Sequence, residues 1–354
     1  MNGAGKTAWY LLLAVAALTL PTVPFLQPYL TQFAFLWVMI LLALTWDIMG
    51  GQMGYNSFGN IVYFGVGMYT TAVVQRDLFF SVEEYAEVAG GIDAALNPLE
   101  FISSLALGMG LGAVLSVLIA AILGSGILGL RGHYFAICTL GLGIAAGEIA
   151  SGMDYIGAGS GLVTSLLPDA FGERGRFFYY LFLVLAVITF LVLRRVYDSR
   201  FGLAINAIRD DEDKAEALGL HTTRYKTTAW CISAFFLALT GGAFGNMVIF
   251  IDPTDVAFAG PTFGVWMVLM AILGGKGTLW GPVIGATIFH VMQEVFWTFL
   301  FGWQRVALGL LIVIVVVFFP EGVVGWLRER WPHRFGEVVD EDARRLQVSL
   351  DSEP

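Results

Sequence analysis

The chain has 354 residues, of which 57% are hydrophobic and only 13% are charged, and its mean hydropathy is +0.76. Such values exclude an ordinary soluble domain of this length and predict a membrane protein with many spans. The formal net charge of −9 argues against nucleic acid as a partner, and the two cysteines, Cys138 and Cys231, lie in apolar runs that suggest no disulfide framework.

The apolar runs are too long and too continuous for the alternating strands of a membrane barrel, so the sequence predicts an all-α, polytopic transmembrane helical bundle. A span needs roughly 20 apolar residues. About ten stretches meet this need, near 8–26, 31–50, 57–75, 101–124, 132–152, 177–193, 227–250, 256–275, 278–300 and 303–320. The first stretch is alternatively a signal peptide, but no convincing cleavage pattern precedes "PTVPFLQP", so we expect a retained helix.

The distribution of Lys and Arg predicts the orientation, because basic residues near span ends stay in the cytoplasm. Ten spans place both termini on one side. With cytoplasmic termini, fifteen of the 19 basic residues lie inside, and only Arg76, Arg174, Arg176 and Arg305 lie outside. This topology gives a transmembrane domain at 1–320, extracytoplasmic loops at 76–100 and 153–176, a cytoplasmic loop at 197–226 and a cytoplasmic acidic tail at 321–354.

Polar side chains inside the spans should avoid lipid and are candidates for a translocation path. One group stands where the third span begins, and a single carboxylate lies in the fifth. These path candidates are Gln52, Asn56, Ser57, Asn60 and Glu148. His290, Gln293 and Glu294 share one helical face, and for His290 and Glu294 a structural pair is favoured over a substrate ligand, because either side chain would satisfy the other.

Two Gly-rich stretches, "GGQMGYNSFG" from Gly50 and "GGKGTLWG" from Gly274, fall at inner span junctions six helices apart. Their equal orientation indicates a possible internal repeat, although helix packing through small residues explains them as well. "GGKGT" lacks the spacing of a phosphate-binding loop. We therefore interpret the following residues as forming tight turns and close helix contacts: Gly54, Gly59, Gly274, Gly275, Gly277, Gly281 and Pro282.

The most charged internal stretch is "RFGLAINAIRDDEDKAEALGLHTTRYK", in the cytoplasmic loop. Acidic residues at 210–213 suit a helix N-terminus, good helix formers follow, and Gly219 suits a C-terminal stop. We expect a short surface helix whose apolar residues, Ala215, Ala217 and Leu218, dock in a groove of another protein, with Arg209 and the acidic cluster as a polar rim. A solvated interhelical loop is the alternative interpretation.

Several motifs together resemble the permease subunits of ATP-binding-cassette importers for branched-chain amino acids, a family that also includes urea and short-amide importers. The stretches that carry the resemblance over nearly the whole chain are "GQMGYNSFGNIVYFGVGMYTTAVV", "LRGHYFAICTLGLG", "GAGSGL", "FGLAINAIRDDEDKAEALGLHTTRYK", "ILGGKGTLWGPVIGA" and "FFPEGVVG". The 1–320 domain would then be the permease domain, in the cytoplasmic membrane of a prokaryote.

The resemblance implies that the charged stretch engages an ATPase through Arg209, Glu212, Ala217 and Gly219, with Asp210, Asp211 and Leu218 beside them. It also implies four partners: a homologous second permease, two ATP-binding-cassette ATPases and an extracytoplasmic substrate-binding protein. The chain itself would be a transport subunit without enzymatic activity or a cofactor, and ATP and magnesium would bind the ATPases.

The sequence departs from the family pattern at two positions. Asn60 stands where the family often has His, and Glu148 lies about one helical turn after the expected position near Ile144. These departures leave the substrate open between branched-chain amino acids, urea and amides. A proton-coupled secondary transporter that uses Glu148 or the His290 face is a further alternative.

Overall fold

The computed structural model describes residues 15–90, 96–300, 302–303, 306–310, 313 and 322–330. Its α-helices, numbered in chain order, are α1 (Leu30–Gly50), α2 (Ile61–Leu78), α3 (Val82–Ala89), α4 (Pro98–Ile127), α5 (Gly132–Ser151), α6 (Arg174–Tyr197), α7 (Arg200–Asp210), α8 (Glu212–Ala217), α9 (Thr222–Val248), α10 (Val265–Gly274), α11 (Gly281–Phe299) and α12 (Gly322–Arg330). Residues 15–19 and 306–310 are also helical. The predicted helical fold is confirmed.

Six segments of the described chain are long and apolar enough to cross a membrane: Pro24–Gly50, Pro98–Ile127, Gly132–Ser151, Arg174–Tyr197, Thr222–Val248 and Pro253–Gly274. All six coincide with predicted spans. Helices α2 and α11 occupy the predicted spans near 57–75 and 278–300. The predicted spans near 8–26 and 303–320 lie partly or mostly outside the described residues. The total of ten spans and the cytoplasmic placement of both termini stay predictions.

Helix α1 lies at the centre of the bundle, since every residue from Val38 to Gly50 is buried. Around it, α2 and α9 approach each other very closely. A Cβ atom on Gly67 would lie 2.1 Å from the backbone oxygen of Ala238, and one on Gly241 would lie 2.0 Å from that of Phe64. Small residues permit this close backbone contact. In lipid, burial of apolar side chains does not by itself drive helices together, so close packing of this kind holds α2 and α9 in contact.

Helices α4 and α5 lie at the periphery and present aliphatic side chains outward. Leu118 and Ile122 of α4 are exposed, as are Ile137 and Ile144 of α5. Such faces suit lipid or another membrane chain, because neither requires a polar surface.

The two ends of the bundle differ in construction. At one end, here the β1 end, the two-residue strands β1 (Leu162–Val163) and β2 (Phe250–Ile251) pair antiparallel. At the other, here the α8 end, α7 and α8 lie beside the turns that follow α1 and α10. The possible internal repeat stays a prediction, although its two Gly-rich turns meet at this end.

The predicted span near 256–275 is α-helical only in α10. Ile249 ends α9 with a φ of +68°, and β2 and two π-helical turns, Pro253–Ala257 and Gly260–Gly264, follow before α10 begins. Prolines at the start of both turns lack the amide that a continuous helix would need.

Residues 322–330 belong to the stretch that the sequence assigns to the acidic tail, yet they form α12. This helix packs on α10, since a Cβ atom on Gly322 would lie 2.5 Å from the backbone oxygen of Ile272. The rest of the tail lies outside the described residues.

Candidate functional site

The charged stretch forms two helices, α7 and α8, rather than one. Asp210 ends α7, whereas Asp211 adopts an extended conformation and caps α8, its carboxylate accepting the amide of Lys214 at 3.0 Å. Acidic residues 212 and 213 occupy the first turn of α8, where they complement the helix dipole. Gly219 ends the segment with a φ of +89°, a conformation that favours glycine.

The three apolar residues predicted to dock in a partner do not all face outward. Leu218 is 84% exposed and Ala217 is exposed, but Ala215 is only 2% exposed and packs against this chain. The outward apolar surface of α8 is therefore formed by Ala217 and Leu218. The buried Ala215 corrects the prediction, and it fixes which side of α8 lies on the bundle.

Glu212 also points into the protein, and its carboxylate is the centre of a network of polar side chains that is buried on the side of Lys226 and exposed on the side of Arg131. Lys226 of α9 donates from Nζ to Oε1 at 2.7 Å, and the Tyr55 hydroxyl donates to Oε2. Lys226, which is 1% exposed, also donates to the backbone oxygen of Leu128 at 2.6 Å. The Nε atom of Arg131 lies 3.4 Å from Oε2 of Glu212. We name Tyr55, Arg131, Glu212 and Lys226 the anchor network.

The electrostatics of the anchor network favour its ionised form. Burial alone would raise the pKa of Glu212, but hydrogen bonds from Lys226 and Tyr55 and the charges of Lys226 and Arg131 hold it below its ordinary value. Burial and the hydrogen bond to Glu212 raise the pKa of Tyr55, which stays a neutral donor. A buried charge is tolerated when it is paired in this way.

Arg131 connects α8 to the start of α5 through two further carboxylates. Its guanidinium lies 2.5 Å from Asp213 and 3.6 Å from Glu216. Exposed ion pairs of this kind contribute little stability singly, but together they restrict how α8 sits on the bundle. Thr222 adds a hydrogen bond of 2.6 Å to Glu216.

The two Gly-rich turns meet at Asp47, near the end of α1. The backbone amide of Gly277 donates to its Oδ1 atom at 2.8 Å, and Asp47 is 1% exposed. A Cβ atom on Gly51 would lie 1.9 Å from that same oxygen and 2.4 Å from the Gly277 nitrogen. Glycine at position 51 therefore leaves room for the hydrogen bond.

Arg209 lies over the same junction. Its Cγ atom would be 3.1 Å from a Cβ on Gly54, and its guanidinium 3.5 Å from one on Gly277. Its Nε atom donates to Asp210 at 3.0 Å. Arg209, expected at an outward rim, thus contacts both Gly-rich turns of its own chain.

The second Gly-rich turn brings backbone atoms into close contact. A Cβ atom on Gly274 would lie 1.7 Å from the backbone oxygen of Gly281, and Gly275 has a φ of +119°. Pro282 lies in the first turn of α11, where a missing amide is tolerated.

The predicted path residues differ in burial. Asn56 and Glu148 are exposed, whereas Gln52, Ser57 and Asn60 are buried. Asn60 joins a chain of hydrogen bonds between helices: the Trp230 indole donates to its Oδ1 at 2.8 Å, and its Nδ2 donates to Ser233 at 3.2 Å. These contacts favour a packing role for Asn60.

Gly59, predicted to lie in a turn, packs directly against α5. A Cβ atom there would lie 2.8 Å from the backbone oxygen of Thr139. The neighbouring Phe58 amide donates to the Thr139 hydroxyl at 3.1 Å. The start of α2 is thus held to α5 by backbone contact.

The expected pair between His290 and Glu294 is not formed. His290 is 5% exposed and lies beside Phe35, with ring centroids 5.8 Å apart, whereas Glu294 is exposed. Their spacing places both near one face of α11, but packing against α1 buries only the first. Gln293 is 8% exposed and turns to the same side as His290.

Sequence reasoning missed Asp47, Tyr55, Arg131 and Lys226 as site residues. Two signals were present: a single acid at the end of an apolar span, and a lysine just inside the next long span after the charged stretch. Charged residues at such positions need partners, and the tertiary structure supplies them.

Comparison with known proteins gives a match over most of the chain. Residues 29–317 match the family model described as "Branched-chain amino acid transport system / permease component". The high-affinity branched-chain amino acid transport system permease protein LivM of Salmonella typhimurium is 26% identical over 333 residues, covering 86% of this chain and 72% of LivM. LivH of the same organism, a permease protein of the same kind of system, is 28% identical over 147 residues, covering 40% of this chain and 46% of LivH.

A relative with a different named cargo also matches. The fructose import permease protein FrcC of Rhizobium meliloti is 25% identical over 206 residues, covering 54% of this chain and 55% of FrcC. No solved structure matches the chain.

Proposed function

Because the chain belongs to the family of permease components of branched-chain amino acid transport systems, we propose that it carries branched-chain or related hydrophobic amino acids across the cytoplasmic membrane of a prokaryote. It does so as the multi-pass permease subunit of an ATP-driven importer. The single observation that carries this proposal is the family match over residues 29–317.

The proposed importer contains three further kinds of chain. Similarity to both LivM and LivH supports pairing with a homologous second permease. Two ATPases on the cytoplasmic side bind and hydrolyse ATP with magnesium, and a substrate-binding protein delivers cargo from outside. In this scheme the α8 end is cytoplasmic and the β1 end is extracytoplasmic.

The α8 end has a construction suited to coupling. Ala217 and Leu218 present an apolar surface that fits a cleft on an ATPase. Through Glu212, the anchor network joins α8 to α9 by Lys226 and to the turn after α1 by Tyr55. A displacement of α8 by the ATPase would therefore move both of these elements.

The cargo is the least constrained part of the proposal. Similarity to FrcC supports a sugar importer as a second candidate, and urea or a short amide would also pass a weakly polar lining. A proton-coupled secondary transporter is less well supported. Such a transporter has no ATPase, so the exposed apolar residues of α8 would have no partner to bind.

Reconstitution tests the proposal directly. The purified permease would be placed in proteoliposomes with a candidate second permease, ATPases and a receptor from the same organism, and uptake of labelled leucine, urea and fructose would be compared. We expect ATP-dependent uptake of leucine. Uptake of only urea or fructose would change the cargo, and uptake driven by a proton gradient without ATPases would contradict the importer.

A further inference from the structure

One side chain at the α8 end contacts both Gly-rich turns. Arg209 stands in the last turn of α7 and lies within contact distance of the space beside Gly54 and Gly277. The two turns come from segments far apart in the chain, since the Gly277 amide and its acceptor Asp47 are 230 residues apart. Arg209 is therefore placed where one movement reaches both turns.

A buried carboxyl group, that of Asp47, lies at the same junction as this arginine. Its Oδ1 atom accepts the Gly277 amide at 2.8 Å, and Asp47 is 1% exposed. The ion-pair partner of Arg209 is Asp210, at 3.0 Å, but the Arg209 guanidinium lies beside Gly277, the residue whose amide Asp47 binds. Arg209 and Asp47 therefore contact the same turn from two different helices, α7 and α1.

The connection between Arg209 and α8 is short. Asp210 ends α7 and Asp211 caps α8, so one residue separates the two helices. The Arg209 side chain is 39% exposed, while Leu218 at the far end of α8 is 84% exposed. Leu218 therefore offers the larger exposed surface, whereas Arg209 contacts the turns.

We propose that Arg209 and Asp47 are positioning residues that transmit displacement of α8 to both Gly-rich turns, so that Arg209 is an internal link and not an ATPase contact. This inference rests on the proposed importer function. In the proposed importer, α8 moves with the ATPase, and Arg209 moves with α8. The turn around Gly277 then moves with the end of α1, because Asp47 of α1 accepts the Gly277 amide. The ends of α1 and α10 and the start of α11 then shift together.

The test measures coupling separately from assembly and uses the reconstituted complex. Variant Arg209→Gln removes the guanidinium and Asp47→Asn removes the carboxyl group, each with little change in size, and Arg209→Lys keeps the positive charge. Arg194→Gln is the matched control, since Arg194 is an exposed arginine whose ion pair with Asp198 spans 4.0 Å. Measurements are co-purification of the ATPases, ATP hydrolysis, and substrate taken up per ATP hydrolysed.

We expect Arg209→Gln and Asp47→Asn to retain the ATPases and hydrolyse ATP, while uptake per ATP falls at least about tenfold. Arg209→Lys should retain more coupling than Arg209→Gln, and the double variant should be no worse than the poorer single variant, because both changes interrupt one link. The control should match the wild type.

Three results for the Arg209→Gln variant would overturn the inference. They are failure of the ATPases to co-purify with it, uptake per ATP equal to that of the wild type, and a loss of ATP hydrolysis as large as the loss of uptake. If Asp47→Asn does not accumulate, Arg209→Gln and Arg209→Lys decide the question alone. Failure of the wild-type complex to transport would instead contradict the proposed function. A working wild type with a fully coupled Arg209→Gln contradicts only the link.

Discussion

The Nζ atom of Lys226 lies 2.7 Å from the Oε1 atom of Glu212, and the lysine is 1% exposed. This ion pair joins the short helix α8 to the first turns of α9. A buried pair need not add net stability, but it fixes a geometry, because either ion left alone would carry an unpaid desolvation cost. The position of α8 on the bundle therefore depends on these two residues.

Breaking this pair should be costly, and removing both members should be less so. We expect Lys226→Met to lower the free energy of unfolding by about 3 kcal/mol, because Glu212 is left buried without its main partner. Thermal unfolding of the detergent-solubilised permease measures this loss. The double variant Lys226→Met/Glu212→Gln should recover part of it, and a double variant as unstable as the sum of both singles would contradict the pairing.

Leu218 should be the main apolar contact of α8 with the ATPase. We expect Leu218→Asp to weaken ATPase binding at least about tenfold, equal to about 1.4 kcal/mol, because a carboxylate would enter an apolar cleft. Binding of the purified ATPase to the permease in nanodiscs measures the change. Val82→Asp is the control, since Val82 is 88% exposed on α3 at the β1 end. Equal weakening by both variants would argue against a specific site.

The proposed sidedness predicts opposite labelling of two exposed residues. In a background with Cys138 and Cys231 replaced, a cysteine at Ser160 should react with an impermeant maleimide from outside intact cells. A cysteine at Thr223 should react only after the membrane is opened. Both positions are exposed, whereas the neighbouring Thr222 is 2% exposed and is unsuitable. External labelling at 223 would overturn the orientation that the basic residues predict.

Acid should weaken the anchor network, with a sign set by the lowered pKa of Glu212. Since the pKa in the folded protein lies below its ordinary value of 4.5, the stabilisation is fully present above pH 4.5 and is lost as the pH falls through the folded value. We expect the wild type to be more stable than Glu212→Gln at neutral pH and the difference to narrow on acidification. Melting temperatures between pH 7 and about pH 2 test this, because the loss is expected below pH 4.5. A constant difference across that range would show that Glu212 does not titrate with unfolding.

Gly59 distinguishes a packing role from a path-lining role for the start of α2. We expect Gly59→Leu to reduce accumulation of the folded permease, because its Cβ atom would lie 2.8 Å from the Thr139 backbone oxygen and cannot be accommodated without moving α5. Gly110→Leu is the control, since a Cβ atom there meets nothing within 4 Å. Size-exclusion profiles and yield report the outcome. A well-folded Gly59→Leu that only blocks uptake would return this segment to the translocation path.

Much of the fold followed from the sequence because hydropathy is a local property. The hydropathy of about 20 consecutive residues identifies a span without knowledge of the rest of the chain, so helices such as α4, α5 and α6 were predicted close to their observed bounds. Local chemistry also predicted the short helix α8, with an acidic start and Gly219 beyond its end. In the structure the N-cap residue of this helix is Asp211, the single extended residue between α7 and α8.

The direction in which each polar side chain points was decided only by the tertiary structure. Glu212 and Tyr55 are 157 residues apart, and Gly277 and Asp47 are 230 apart, so no local pattern predicts either contact. Helical periodicity states which residues share a face but not which neighbour covers it, and for that reason Arg209 was expected outside and Asp47 was overlooked. The sequence by itself determined a helical, multi-pass permease and the position of its charged segment. The packing of α1, α9 and the two Gly-rich turns determined which of those charged residues form contacts within the protein. The reason is that a charged side chain is stable in a buried position only where another group pairs with it.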